Sequence, residues 1–106
     1  EKSRDSRRRG DLKAISNALE QYYAENTGSY PQDTACSGYT DYLSGPEPTD
    51  PVTGDTYVED GDCAVDGSSY CVCVEVEGTG TGNAYDASCS WTGSGDKDYF
   101  CVENLQ

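Results

Sequence analysis

Apolar and polar positions follow a helical period over residues 12–30, LKAISNALEQYYAENTGSY. Leu12, Ile15, Leu19 and Tyr22 recur every three or four positions, and Ala18 and Tyr23 fill the same side. That spacing predicts an amphipathic helix whose apolar stripe faces a core. The helix runs backward through a polar segment that holds Arg4, Arg7, Arg8 and Arg9, so about 23 residues are expected to be helical over about 35 Å. It should stop near Asn26, because Asn26-Thr27-Gly28 offers a left-handed cap and Tyr30-Pro31 cannot continue it. Gly10 is a weak spot inside it, costing about 1 kcal/mol relative to Ala.

Beyond the helix the period changes. Residues 32–55 hold three of the four prolines, and the stretch reads as a long ordered connection, anchored by Tyr39, Tyr42 and Leu43, with one helical turn near Tyr39. Residues 69–77 alternate as a strand rich in β-branched and aromatic residues, 56–59 form a shorter one and 98–103 a third. The expectation is a single α+β domain over 1–106. A helix at 1–26 and a connection at 27–55 precede an antiparallel meander of about three strands and a C-terminal loop at 56–106.

Composition makes the core small. Only 34% of residues are hydrophobic, with no His, no Met and one Trp, against nine Tyr, twelve Gly and six Cys. The net charge of −13 is uneven: residues 1–30 carry six Lys/Arg against five Asp/Glu, and residues 31–106 carry Lys97 against fifteen acids. An acidic body repels phosphate backbones and anionic lipid, which argues against nucleic-acid binding by residues 31–106. No stretch is apolar enough to cross a bilayer. The chain opens mid-helix, and we expect a further segment ahead of Glu1.

The cysteines are Cys36, Cys63, Cys71, Cys73, Cys89 and Cys101. Zinc knuckles use C-x-x-C or Cys/His pairs, whereas this chain has a C-x-C and no His, and redox catalysis by that C-x-C is disfavoured by the surrounding acids. Three structural disulfides and an oxidising compartment remain. Cys71 and Cys73 share one face of a strand and should reach different partners. A Cys89–Cys101 bond, closing a loop around Trp91, is the expected pairing for that end; the sequence leaves the other partners open.

Two blocks carry a family resemblance. Residues 7–31, RRRGDLKAISNALEQYYAENTGSYP, closely resemble the segment that follows the membrane-spanning half of the first helix in type IV pilins and type II secretion pseudopilins. Tyr42-Leu43, Asp50-Pro51, Gly54 and Tyr57 resemble the Y-L … D-P-x-x-G-x-x-Y block of the same proteins. The resemblance implies a preceding hydrophobic helix that begins with a methylated Phe, carries a Glu at its fifth position, anchors the subunit in the membrane and then packs in a filament core. On that basis Arg4, Arg7, Arg8 and Arg9 with Asp5 and Asp11 are candidates for ion pairs between neighbouring subunits. Major pseudopilins also hold calcium in the loop before the C-terminus; here GSGDKDYF offers Asp96 and Asp98, whose oxygens suit a hard cation. Asp60, Asp62 and Asp66 form a second acidic group, but Cys71 stands where an EF-hand would need its bidentate Glu. Six cysteines exceed the family's habit, and Gly10 stands where Ala is usual.

The expected function is therefore a structural one: a pilin-like subunit of an extracellular filament, homo-oligomeric through its helix, bound to a membrane only through the segment ahead of it. A secretion pseudopilin is the alternative, and a secreted binding module a second. With no His, G-x-S-x-G or Walker loop, an enzyme is not expected.

Overall fold

A computed structural model describes residues 2–59 and 61–106. Its first element, α1, is a helix over Lys2–Glu25. The left-handed cap forms as the sequence predicts: Thr27 and Gly28 have φ of 57° and 78°, and the Gly28 N–H donates to the Tyr23 carbonyl at 3.0 Å. Asn26 Nδ2 also donates to the Tyr22 carbonyl, closing the last turn.

The buried positions of α1 are Asp5, Arg8, Leu12, Ile15, Ala18 and Leu19. They form one stripe at three- and four-residue steps, so the stripe begins seven residues before its first apolar member. Tyr22 and Tyr23, expected on this face, lie at its half-buried end; Tyr22 stacks edge-on against Tyr42 with centroids 5.8 Å apart, and Tyr23 packs on Tyr30 at 4.6 Å. The body meets α1 from Arg4 and Asp5, which bond Glu77, to Tyr22, which packs on Tyr42. The front of the helix thus has a partner in its own chain.

Among the described residues the sheet has two strands, not three: β1 (Cys71–Glu75) and β2 (Tyr99–Glu103) pair antiparallel, with Cys73 opposite Cys101. Residues 56–59 contribute a single bridge, Thr56 to Thr49. Tyr57 explains why: its ring is buried beneath α1 and its hydroxyl donates to Asp11 Oδ2 at 2.8 Å, so this segment serves the helix and not the sheet. The outer side of β2 is taken instead by residues 82–84. Gly82 and Asn83 donate to the Lys97 and Tyr99 carbonyls, and the Asn83 side chain bonds both the N–H and the carbonyl of Cys101, standing in for a strand's backbone. A Cβ on Gly82 would lie 2.1 Å from the Tyr99 carbonyl oxygen, so only glycine lets the loop approach this closely.

Leu12, Ile15, Ala18 and Leu19 meet Tyr30, Cys36, Tyr39, Tyr57, Cys63, Tyr70 and Val72 in one core. A single helical turn over Tyr39–Tyr42 lies in the connection between helix and sheet, as expected. Three disulfides close the structure: Cys36–Cys63, Cys71–Cys89 and Cys73–Cys101. The expected Cys89–Cys101 bond is replaced because Cys101 sits directly across the ladder from Cys73, with Cα atoms 4.1 Å apart, which leaves Cys89 to Cys71. The loop around Trp91 is still anchored through Cys89, and Cys71 and Cys73 do reach different partners.

Candidate functional site

The helix front builds the most highly charged site. Arg8 is only 4% exposed and lies among three carboxylates: Nε donates to Asp50 Oδ2 at 2.8 Å, and Nη1 donates to Asp5 Oδ1 at 2.8 Å and to Glu77 Oε2 at 2.6 Å. Arg4 grips Glu77 with two parallel bonds, Nε to Oε2 at 2.7 Å and Nη2 to Oε1 at 2.6 Å. Asp5 accepts the backbone N–H groups of Glu77 and Gly78, both at 2.9 Å, so it caps the chain as it leaves the sheet. Among the described residues no buried side-chain nitrogen or oxygen lacks a partner.

These contacts set the titration of the site. The Arg8 hydrogen bond, with the Val52 and Thr53 N–H groups behind it, outweighs burial and holds Asp50 down at about 2. Arg4 and then Arg8 hold Glu77 at about 2. Burial alone would push Asp5 up, but the two backbone N–H groups and Arg8 together keep it below its ordinary value. Arg8 itself is raised, first by Asp50.

Of the residues proposed as contacts between subunits, Asp5, Arg8 and Arg4 are therefore occupied within the chain. Arg7 lies 3.6 Å from Asp11, while Asp11 also accepts from Tyr57. Arg9 forms no ion pair among the described residues. The face left outward carries Lys2, Ser3, Ser6, Arg7, Lys13, Ala14, Asn17 and Gln21.

Sequence reasoning missed Asp50 and Glu77, which are distant in the chain, but a signal for Asp5 and Arg8 existed: they continue the spacing of Leu12, Ile15 and Leu19 backward. It missed Glu20 as well, whose carboxylate accepts the Tyr30 and Tyr70 hydroxyls and the Leu105 N–H and so ties the C-terminus to the helix. A cleft of about 800 Å³ adjoins the Arg8 cluster, lined by Asp50, Asp55, Glu59, Asp62, Glu75 and Glu77 as well as Arg4 and Arg8. Burial pushes Asp62 up to about 6.

The calcium candidates Asp96 and Asp98 both lie beside Gly80. Asp98 Oδ1 accepts its N–H at 2.8 Å, and Asp96 Oδ1 is 3.9 Å from where its Cβ would be. Among the described residues no third acid gathers with them. Asp98 is engaged by that amide, and the rest of the roughly six to eight oxygens that calcium takes would have to come from backbone carbonyls and water. Asp60 of the second acidic group lies outside the described residues, and Asp66 is spent on Ser68. No helix among the described residues is long and apolar enough to cross a membrane. No protein-family model, no curated protein and no solved structure matches the chain.

Proposed function

We propose that this domain is a structural, non-catalytic subunit of an extracellular type IV pilus-like filament, polymerising through α1. The observation that supports the reading most is the division of labour on the helix. One stripe, Asp5 to Leu19, is committed to the body, while the opposite face, from Lys2 through Arg7, Lys13 and Asn17 to Gln21, stays polar and exposed along its length. A helix held rigidly to its own body while presenting a continuous exposed face is suited to side-by-side packing with copies of itself. The three disulfides fit an oxidising exterior. With Asp5, Arg8 and Arg4 engaged inside the chain, Arg7 and Arg9 remain as the arginine candidates for ion pairs between subunits, with Lys13 nearby on the exposed face.

The test is the coding sequence ahead of Glu1 together with electron microscopy of cells that express the whole gene. A stretch of about 20 apolar residues behind a short basic leader is expected. Surface filaments should then form, and should be lost in Arg9→Glu/Lys13→Glu while the isolated domain keeps its melting temperature. Filaments confined to cells that carry a secretion apparatus would make the subunit a pseudopilin. A gene with no such apolar stretch would sink the reading and leave a secreted binding module.

A further inference from the structure

The four cysteines of the sheet end are arranged more closely than two separate cross-links require. Cys71 and Cys73 point from one face of β1, Cys101 faces them from β2, and Cys89 comes from the loop that follows residues 82–84, with its backbone at φ 58°. Internal bonds of that loop hold it in place: Tyr85 N–H to the Ser90 carbonyl, and Ser88 N–H and Ser90 Oγ to the Asp86 carboxylate. As a result all four Sγ atoms lie within 4.8 Å of one another, and sulfurs that are not bonded to each other approach to 3.6 Å (Cys71 and Cys73) and 3.9 Å (Cys73 and Cys89). The third disulfide, Cys36–Cys63, is buried apart in the core.

Tetrahedral zinc with a Zn–S bond of about 2.3 Å places its sulfurs about 3.8 Å apart. Two of the contacts across the disulfides, Cys71 with Cys73 at 3.6 Å and Cys73 with Cys89 at 3.9 Å, already have that spacing, and the whole set lies within 4.8 Å, so the bonded pairs are the ones that must separate. An entry route exists as well, because Cys73 lines the acidic cleft whose carboxylates draw cations. We infer that Cys71, Cys73, Cys89 and Cys101, as thiols, form a tetrathiolate site for Zn²⁺, so that the same four sulfurs hold this end of the domain by metal before oxidation and by two disulfides after it. In the binding step the four thiols release four protons to solvent and the ion accepts four thiolate electron pairs, with no change of oxidation state. Affinity therefore falls steeply as pH is lowered. A newly made chain presents the thiols directly; the mature protein reaches them only when a reductant opens both disulfides. The C-x-C spacing hides this set, because its members come from three segments that only the fold brings together.

The experiment is a Co²⁺ titration of the full domain after reduction by a water-soluble phosphine. Each disulfide then yields two thiols, with one phosphine and one water giving a phosphine oxide. Intense thiolate-to-cobalt absorption with tetrahedral ligand-field bands should saturate at one equivalent and vanish when Zn²⁺ is added. It should persist in Cys36→Ser/Cys63→Ser and be lost in Cys71→Ser/Cys73→Ser. Circular dichroism recorded through the titration must show the helix present as the band grows, because only the folded chain brings the four thiols together; a band that forms on a chain without its helix would also overturn the assignment. Absence of the thiolate band, saturation above one equivalent, or an undiminished band without Cys71 and Cys73 would each overturn the assignment.

Discussion

Between Lys2 and Gly10, α1 meets the body through Asp5 and Arg8; between Leu12 and Leu19 it meets it through four apolar side chains that are at most 1% exposed. The two halves share one stripe, one helix and nearly complete burial, yet they hold by different physics. The apolar half gains roughly 1.5–3 kcal/mol for each large side chain removed from water, whatever the pH or salt. In the charged half, desolvation offsets most of the Coulombic attraction, so its net contribution is small, but removal of one member leaves the others buried and unpaired. The rear therefore supplies stability. The front supplies placement: Arg8 accepts one docking of the helix, the one that brings Asp5, Asp50 and Glu77 together.

Four measurements sharpen or break that contrast. Leu19→Ala should have the largest effect, lowering unfolding stability by about 3–4 kcal/mol equally at low and high salt, as read by chemical denaturation. Arg8→Met should cost about 3 kcal/mol at neutral pH, because Asp5 and Asp50 lose their cation. In the double variant Arg8→Met/Asp50→Asn at least about 1 kcal/mol of that should return, as expected for residues in one network. Additive costs would show that the front is held by packing alone.

The acid limb comes next. Asp50 and Glu77 both have folded values of about 2, below their ordinary 3.8 and 4.5. The unfolded chain therefore binds more protons in that window, and their contribution is complete above about pH 4.5 and lost as pH falls toward 2. For Asp50 the loss is on the order of 1–2 kcal/mol. It should shrink in Arg8→Met, which keeps only the Val52 and Thr53 N–H groups on Asp50, whereas Leu19→Ala should shift the whole curve without flattening it.

The smallest effect belongs to the junction. Gly10 is helical and exposed, with no atom within 4 Å of a Cβ placed there. Gly10→Ala should raise stability by about 1 kcal/mol, visible as a higher melting temperature. A loss instead would mean that the two halves need a bend between them.

Much of this architecture was legible in the chain. The helix end at Asn26-Thr27-Gly28, the apolar stripe and the turn at Tyr39 follow from short-range rules, because caps, periodicity and prolines act within a few residues. The strands over residues 69–77 and 98–103 were located for the same reason, although each proved shorter. The missing third strand was not legible. Residues 56–59 have strand-like composition, but Tyr57 had a better partner in α1, and an asparagine side chain with a glycine took the sheet edge in their place.

What the sequence determined by itself is local: where α1 begins to bury apolar groups, where it stops, and that six cysteines must cross-link a core too small to stand alone. Partners far apart in the chain were decided only by the tertiary structure. Arg8 finds Asp50 and Glu77 across 42 and 69 positions, and Cys101 finds Cys73 through strand register and not through spacing. The physical reason is the same in both cases. A charge or a thiol looks alike on solvent and in a core until folding sets its neighbours, whereas an apolar period announces its buried side in advance.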